Sequence, residues 1–188
     1  MRVLVACEFS GVVREAFRAR GHDAWSCDLL PAEDESQFHF QRDVCELLPG
    51  WALRRWDLLI AHPPCTHLAV SGARWFVDKV AEQAEALAFV QTLMDAPVPR
   101  ICIENPISVI SSRFRKPDQI VQPWMFGHGE TKATCFWLKN LPRLTPTNIV
   151  DGRSARVHRM PPGPNRWRER SRTFEGIAAA MADQWGCL

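Results

Sequence analysis

Hydrophobic and polar positions alternate along the chain in blocks that predict strands and helices in turn. An apolar run over residues 3–6 is broken by a polar turn, and apolar residues then recur at helical spacing as far as Gly21. A second apolar run, over residues 24–27, ends in Asp28. This order predicts a strand, a helix and a second strand, with Ser10 as the helix N-cap and Gly21 as its stop.

The same alternation continues towards the carboxyl terminus. Residues 31–41 are polar and acidic and predict a loop, which is followed by a short helix with Asp43 as its N-cap. The later predictions are a strand over residues 56–61, a helix over 77–94 with an apolar stripe from Val80 to Leu93, a strand over 100–103, irregular chain over 108–123 and a strand that ends near Leu138. They are followed by looped chain over 141–164 and by a last helix that has Thr173 as its N-cap and ends before Gly186. Strands that alternate with helices predict an α/β fold with a mostly parallel sheet and helices on both faces.

Length and composition fit an ordinary globular protein. The chain has 188 residues, of which 46% are hydrophobic and 23% are charged, so we predict a single domain over residues 1–188. No apolar run approaches the roughly 18 residues needed to span a bilayer, and the amino terminus enters a strand pattern at once. We therefore expect a cytoplasmic protein without a membrane partner. Seven cysteines with no CxxC pair argue against a disulfide framework and against a common zinc site.

Positive charge is concentrated near the carboxyl terminus. Seven arginines and a single acid, Glu169, lie between Arg153 and Arg172. Such a segment is typical of nucleic-acid binding, because guanidinium groups contact phosphates and an indole ring stacks on bases. The predicted nucleic-acid contacts here are Arg156, Arg159, Arg166, Trp167 and Arg168. The alternative is a solvated basic loop that pairs with acids elsewhere in the chain.

Two reactive side chains follow predicted strands. Two prolines halt an apolar strand and present Cys65 at its end, and Glu104 follows the strand over residues 100–103. The carboxyl ends of neighbouring parallel strands open into one crevice, so we expect a nucleophilic thiol beside an acid whose pKa burial raises. The alternatives are an inert core thiol and a metal site formed by Cys65 and His67. Asp28 is either a ribose-binding acid or an ordinary turn residue.

The order of these motifs resembles the cytosine-5 DNA methyltransferases, in particular small bacterial and phage-type members. The turn Phe9-Ser10-Gly11 resembles the Phe-x-Gly-x-Gly cofactor turn of that family, with Val13 in place of the second glycine. Pro64-Cys65 matches the Pro-Cys dipeptide that carries the family's nucleophile. Glu104-Asn105 matches the family's Glu-Asn-Val motif, with Pro106 in place of valine.

A later strand extends the resemblance. Lys132 and Thr134 take the arginine places of a strand that carries a Gln-x-Arg-x-Arg motif in the family. The resemblance implies a Rossmann-like class I methyltransferase fold with S-adenosylmethionine as cofactor. It also implies three catalytic residues, in which Cys65 adds to carbon-6 of cytosine, Glu104 acts at ring nitrogen-3 and Lys132 supports the thiolate. The implied cofactor-binding residues are Phe9, Ser10, Gly11, Asp28, Leu29, Asp43, Val44 and Pro63.

The large target-recognition domain of that family has no counterpart of similar size here. Only residues 139–172, a short Pro/Arg-rich insert, separate the last strand from the last helix. The resemblance implies methyl transfer to cytosine in DNA, with Arg74 as a further DNA contact. The short insert leaves open a free cytosine nucleotide, RNA or a modified base as substrate, a non-catalytic binding module, and self-association or a partner that supplies specificity. His62 and His67 flank the thiol and are candidate proton carriers.

Overall fold

The computed structural model describes residues 1–48 and 56–188, which form a seven-stranded sheet in the order β3-β2-β1-β4-β5-β7-β6. The strands are β1 (Arg2–Ala6), β2 (Asp23–Asp28), β3 (His39–Gln41), β4 (Leu58–Ala61), β5 (Arg100–Pro106), β6 (Gln119–Val121) and β7 (Thr134–Lys139). Strands β1 to β5 pair in parallel, whereas β7 runs antiparallel to both of its neighbours. The predicted mostly parallel sheet is therefore confirmed.

Helices cover both faces of this sheet, as predicted. They are α1 (Val12–Arg18), α2 (Val80–Met94), α3 (Ile110–Arg113), α4 (Arg156–Arg159), α5 (Arg166–Ser171) and α6 (Glu175–Trp185). The chain also forms 3-10 helices over Val44–Glu46, Val70–Trp75 and Pro123–Met125. Val3 and Val5 of β1 belong to the core that contains α1 and α6. Leu4 belongs to the opposite core, which contains α2. Side chains of a strand alternate between faces, so the central strands are buried on both sides.

Glu8, rather than Ser10, caps the amino terminus of α1. The N-cap position is Gly11, whose φ is 72° and whose lack of a side chain leaves the first amides of the helix without a local partner. The buried carboxylate of Glu8 accepts hydrogen bonds from the N–H groups of Val13 at 2.7 Å and Arg14 at 3.2 Å. The prediction of a serine cap was wrong, because an acid from the end of β1 takes that role.

The other helix boundaries agree in part with the sequence pattern. Gly21 has a φ of 81°, and its N–H donates to the carbonyl oxygen of Arg18 while the next N–H donates to that of Phe17. These two bonds form a Schellman motif, which confirms Gly21 as the stop of α1. Helix α6 follows an N-cap at Phe174, so the predicted cap at Thr173 was wrong by one residue.

Five short elements, β3, β6, α3, α4 and α5, were not predicted. Strands β3 and β6 have three residues each and depend on neighbours, since β3 pairs with β2 and β6 pairs with β7. Strand β5 continues beyond Ile103 to Pro106, because its last three residues pair with β7. The apolar stripe of α2 is also shorter than predicted, since Val80 is 68% exposed whereas Val90 and Leu93 are fully buried.

Candidate active site

The carboxyl ends of β4 and β5 bring a histidine and an acid together. The two strands are parallel neighbours with Ala61 opposite Ile103, and the residues that follow are His62 and Glu104. The His62 Nδ1 atom lies 3.1 Å from Glu104 Oε2, and the two side chains are only 10% and 14% exposed. A hydrogen bond between two ionisable groups is strengthened when it is shielded from water in this way.

The turn that carries Cys65 is tied to β5 by one side chain. The amide of Asn105 donates a hydrogen bond to the carbonyl oxygen of Pro63 at 2.8 Å, and this contact is buried. Beyond the turn, the N–H groups of Leu68 and Ala69 donate to the carbonyl oxygen of Cys65 at 3.0 and 2.9 Å. Cys65 itself is an exposed residue. Cys65 is therefore not a core residue, but neighbouring groups shield its sulfur from much of the water.

Charges from three directions act on the Cys65 thiol. Withdrawal from water is the main cause that raises its pKa above the usual range, and the negative charge of Glu104 raises it further. The positive charges of Lys132 and Arg170 oppose this rise. A thiol with a raised pKa is mostly protonated at neutral pH, so these two cations increase the small fraction that is nucleophilic thiolate.

The charge state of Glu104 differs from the sequence expectation. Burial alone would raise its pKa, but the hydrogen bond and positive charge of His62, together with the charge of Lys132, lower it below the usual range. Burial likewise acts to lower the pKa of His62, and there the hydrogen bond and charge of Glu104, joined by the charge of Glu8, raise it. The prediction of a raised Glu104 pKa was wrong, because the hydrogen bond and positive charge of His62 favour the carboxylate form of Glu104.

Lys132 enters the site from the loop before β7. Its ammonium group donates a hydrogen bond to the carbonyl oxygen of Arg172 at 3.1 Å. Burial lowers the pKa of Lys132, and the charge of Arg170 lowers it further, whereas the negative charges of Glu104 and Cys65 raise it. A cation that is withdrawn from water close to an acid and a thiol exerts a stronger field on both than a solvated lysine would.

The loop after β1 is shaped by a fully buried arginine. Arg14 donates hydrogen bonds from Nε to Glu15 at 2.8 Å and from Nη1 to Ser26 at 2.8 Å, and its Nη2 contacts Asp34. A Cβ atom added at Gly11 would overlap this guanidinium group. Gly11 is therefore needed for a close approach to Arg14 as well as for its positive φ.

Two carboxylates and an exposed leucine lie near the ends of β2 and β3. Asp28 ends β2, where it is partly buried and accepts a hydrogen bond from the N–H of Leu30 at 2.9 Å, and Leu29 is 71% exposed. Asp43 follows β3 and caps a 3-10 helix through the N–H of Cys45 at 2.9 Å, as predicted. Carboxylates accept hydrogen bonds from ribose hydroxyls and amino groups, and leucine covers a base face. Two carboxylate acceptors and an apolar side chain fit the adenosine part of S-adenosylmethionine.

The remaining predicted cofactor residues lie after β1, in the 3-10 helix after β3 and after β4. Ser10 is partly exposed, whereas Phe9, Gly11, Val44 and Pro63 are buried. These five residues connect the end of β1, the 3-10 helix after β3 and the end of β4. Cofactor binding by any of them stays a prediction.

Residues 166–172, which we call the α5 segment, pack over the loops after β1 and β2. The rings of Trp167 and Phe9 are 5.5 Å apart, and Trp167 remains 55% exposed. The largely buried carboxylate of Glu33 pairs with Arg168 at 2.5 Å and also with Arg172. The α5 segment is thus fastened to the predicted cofactor region by one aromatic contact and two ion pairs.

The other predicted nucleic-acid contacts lie at the surface. Arg156 pairs with Glu130 at 2.9 Å, and Arg166 donates from Nε to the carbonyl oxygen of Met160 at 2.9 Å. Arg74 and Arg159 are exposed. The three arginines that pair with acids agree with the alternative of a basic segment neutralised within the chain. Nucleic-acid binding by this segment stays a prediction.

Sequence reasoning missed two residues of the site. Glu8 caps α1, and its charge acts on His62, whereas Arg170 acts on Cys65 and Lys132. An acid directly before the cofactor-type turn was a usable signal for Glu8, because such turns leave free amides at a helix start. Arg170 gave no separate signal, since it is one of several arginines in a row.

No group of three or more histidine, cysteine, aspartate or glutamate side chains in residues 1–48 and 56–188 is arranged to hold a metal ion. No helix within the same ranges has the length and apolar character needed to cross a membrane.

Comparison with known proteins identifies the fold. The seven-stranded sheet matches a crystal structure of a protein encoded within a prophage (E. coli), to which a DNA modification methyltransferase role has been attributed. The TM-score is 0.55 and the sequence identity 16%, and the match covers 80% of this chain and 52% of the other. The chain has a Rossmann-like methyltransferase fold. It spans about half the length of the matched chain. No protein-family model and no curated protein matches the sequence.

Proposed function

We propose that this protein transfers a methyl group from S-adenosylmethionine to carbon-5 of a cytosine in DNA, through a covalent bond between Cys65 and carbon-6. One observation carries the proposal. Cys65, an exposed residue on a fixed turn at the end of β4, adjoins the strand that bears the buried Glu104 carboxylate; shielding from water and the charge of Glu104 raise the pKa of its thiol, and the charge of Lys132 lowers it. A nucleophile, an acid and a cation at neighbouring strand ends are the parts that this reaction needs.

Asp28 and Asp43 are the residues that we assign to the ribose and the adenine, with Leu29 against the base. Phe9, Ser10, Gly11, Val44 and Pro63 complete the assigned cofactor region. S-adenosylmethionine supplies an electrophilic methyl group when bound. The match to a protein with an attributed DNA modification methyltransferase role supports this cofactor class.

Each catalytic residue has a distinct task in the proposed reaction. The Cys65 thiolate forms a bond to carbon-6, and the ring electrons then make carbon-5 nucleophilic. Glu104 presents a proton to ring nitrogen-3, where negative charge would otherwise develop. Lys132 stabilises the Cys65 thiolate and the Glu104 carboxylate by charge. When a base such as a water molecule then takes the carbon-5 proton, the electron pair of that bond forms the carbon-5 to carbon-6 double bond again and expels the thiolate.

DNA binding is assigned to the surface arginines. Arg74, Arg156, Arg159, Arg166 and Arg168 are the proposed phosphate contacts. The half-exposed indole of Trp167 is the proposed stacking surface for a base that has left the duplex. Phosphate binding by Arg156 and Arg168 requires their ion pairs with Glu130 and Glu33 to open, so that a phosphate takes the place of the carboxylate.

Covalent trapping tests the proposed nucleophile. DNA that contains 5-fluorocytosine is incubated with S-adenosylmethionine and protein, and the adduct is read by denaturing electrophoresis and peptide mass spectrometry. We expect an adduct through Cys65 in the wild type and in Cys187→Ala, which removes the other exposed cysteine. No adduct is expected in Cys65→Ala. An equal adduct in Cys65→Ala, or none in the wild type, contradicts the proposal.

A second candidate keeps the chemistry and changes the substrate. Between β7 and α6 the chain has only the short helices α4 and α5, which is less than an independent domain. This observation favours a small substrate such as a free cytosine nucleotide, with RNA and modified bases as further options. Parallel incubations with a cytidine nucleotide, RNA and DNA separate the two candidates by which of them receives label from S-adenosylmethionine.

A further inference from the structure

His62 is a buried histidine whose backbone and side chain are both fixed. Its N–H donates a hydrogen bond to the carbonyl oxygen of Ala6 at 3.0 Å, which ties it to β1. Its Nδ1 atom meets Glu104 of β5 at 3.1 Å. His62 at the end of the central strand β4 therefore contacts both neighbouring strands, β1 through its backbone and β5 through its ring. Burial of the ring and its bond to Glu104 restrict the rotamer of His62, as expected of a residue that orients another.

Charged groups act on His62 from four elements. Glu104 of β5, Glu8 after β1 and Asp28 at the end of β2 contribute negative charge, and Lys132 from the loop before β7 contributes positive charge. The Nε2 atom of His62 is buried and meets no hydrogen-bond partner in the described residues. The bond from Nδ1 to Glu104 is thus the one side-chain hydrogen bond that the described structure gives this imidazole.

We propose that His62 is a positioning residue for Glu104. Its Nδ1–H group holds one carboxyl oxygen of Glu104, so that the other oxygen faces the substrate ring. His62 also keeps within the His62–Glu104 pair the proton that ring nitrogen-3 takes up. This inference rests on the proposed methyl transfer and adds a residue to it. Glu104 remains the group that touches the substrate, and His62 acts through it.

The proton balance of the addition step follows from this arrangement. The pair holds one proton, which either charges His62 or makes Glu104 a neutral carboxylic acid that can donate to nitrogen-3. When the Cys65 sulfur bonds to carbon-6, the electrons of the carbon-5 to carbon-6 double bond form a carbon-4 to carbon-5 double bond. The electron pair displaced from the carbon-4 to nitrogen-3 bond takes the Glu104 proton. Glu104 is left as a carboxylate, and the proton returns when the thiolate leaves.

A glutamate alone would perform this task poorly at neutral pH. A carboxylate directed at the lone pair of nitrogen-3 repels it, and Lys132 favours the carboxylate form. His62 extends the pH range over which the pair is protonated, because Glu104 and Glu8 raise the pKa of His62 against the effect of burial. The histidine thus keeps a proton available beside an acid that on its own would have lost it.

The variant His62→Asn separates proton supply from the hydrogen bond, because its amide is placed to donate to Glu104 but carries no titratable proton. We expect kcat on saturating DNA to fall by about 10²-fold at neutral pH, with KM within about two-fold. We also expect the alkaline limb of the kcat profile to move to lower pH than in the wild type, because only the carboxyl of Glu104 then holds the proton. His158→Asn, an exposed histidine in α4, should match the wild type.

Nitrogen-15 NMR of the histidine side chains supplies a readout that needs no methyl transfer. The resonance that is absent from His62→Asn should titrate above the ordinary histidine range in the wild type and at lower pH in Glu104→Gln. An equal titration in Glu104→Gln overturns the pairing. If the wild type methylates DNA but His62→Asn has the same alkaline limb in its kcat profile, the role proposed for His62 is wrong and the proposed methyl transfer is unaffected. If the wild type transfers no label at any pH, the proposed function fails and this inference with it.

Discussion

The amide of Asn105 holds the carbonyl oxygen of Pro63 at 2.8 Å, so a single buried hydrogen bond fixes the cysteine turn against β5. Pro63 lies two residues before Cys65, and Asn105 directly follows Glu104. The distance between the proposed nucleophile and the proposed acid is therefore controlled by a bond between residues that lie one or two positions from them in the sequence. Two consecutive prolines stiffen the turn further, because each locks its own φ.

Asn105→Asp should loosen this turn. The donor amide becomes a carboxyl oxygen that faces the Pro63 carbonyl, which leaves a buried acceptor unsatisfied and costs about 1–3 kcal/mol of unfolding free energy. A shift of the thiol by about 1 Å should slow adduct formation with 5-fluorocytosine DNA by about 10²-fold. Urea unfolding and the rate of adduct formation measure the two effects.

The chain contains a matched control for this substitution. Asn140 also donates its amide to a proline carbonyl oxygen, that of Pro99, at 2.8 Å, but the contact is exposed and lies at the other end of β5 and β7. Asn140→Asp makes the same chemical change and should cost less than about 0.5 kcal/mol, with no change in adduct rate. Equal adduct rates in Asn105→Asp and Asn140→Asp would show that the turn does not depend on Asn105.

The Cys65 thiol should report the charges around it through its reaction with iodoacetamide. Only the thiolate reacts, so the midpoint of the rate against pH follows the Cys65 pKa, which lies above the usual range. Lys132→Met removes a cation that lowers this pKa, and the midpoint should move to higher pH. Glu104→Gln removes an anion that raises it, and the midpoint should move to lower pH.

Peptide mass spectrometry resolves Cys65 from Cys187, the other exposed cysteine, which serves as an internal reference in every sample. Lys139→Met is the control for loss of a lysine, since its ammonium group donates to the Ala96 carbonyl oxygen at the far end of β7. A Lys132→Met midpoint that coincides with that of Lys139→Met would refute the electrostatic coupling of Lys132 to the thiol.

The parts of the fold that the sequence predicted are those with a local pattern. Strands β1, β4 and β5 are apolar runs, and the Gly21 stop of α1 needs only a residue that accepts positive φ. Strand β3 lacks such a pattern. Its His39 is polar, and it pairs with β2 where Ser26 Oγ lies 2.8 Å from His39 Nδ1. That contact exists only after the chain has folded.

The predictions for the candidate site also succeeded where a general rule applied and failed where a long-range contact decides. Cys65 and Glu104 were located because strand ends of a parallel sheet gather at one edge, which is a rule of topology. The charge state of Glu104 was predicted with the wrong sign, because it depends on a 3.1 Å contact with His62, 42 positions away in the sequence. Burial can be inferred from apolar neighbours in sequence, but the partner of a buried charge cannot.

Two substitutions distinguish whether the arginines of the α5 segment bind DNA or only hold this segment against Glu33. Glu33 neutralises Arg168 and Arg172. If these arginines contact phosphates, Arg168→Ala should weaken DNA binding and reduce the salt slope by about one unit, whereas Glu33→Gln should strengthen binding by freeing both cations. If the ion pairs only fasten the segment, both variants should weaken binding. Fluorescence anisotropy on labelled DNA at several salt concentrations gives the sign.

An ion pair elsewhere on the surface provides the control for these two substitutions. Arg115 contacts Asp118 at 2.6 Å, outside the α5 segment and the predicted cofactor region. Arg115→Ala and Asp118→Asn change net charge as the test variants do, and both should leave the salt slope unchanged. A Glu33→Gln variant that weakens DNA binding as Arg168→Ala does would contradict phosphate binding by this segment.

Gly11→Ala should be more destabilising than Gly21→Ala, although both glycines have φ values in the left-handed region, at 72° and 81°. Gly21 faces open space, so alanine there adds only backbone strain of about 1–2 kcal/mol. At Gly11 the added methyl group would also overlap the buried guanidinium of Arg14, for a further cost of about 1–3 kcal/mol. Urea unfolding of both variants measures the difference. Equal losses would mean that Arg14 moves aside freely, which its bonds to Ser26 and Glu15 oppose.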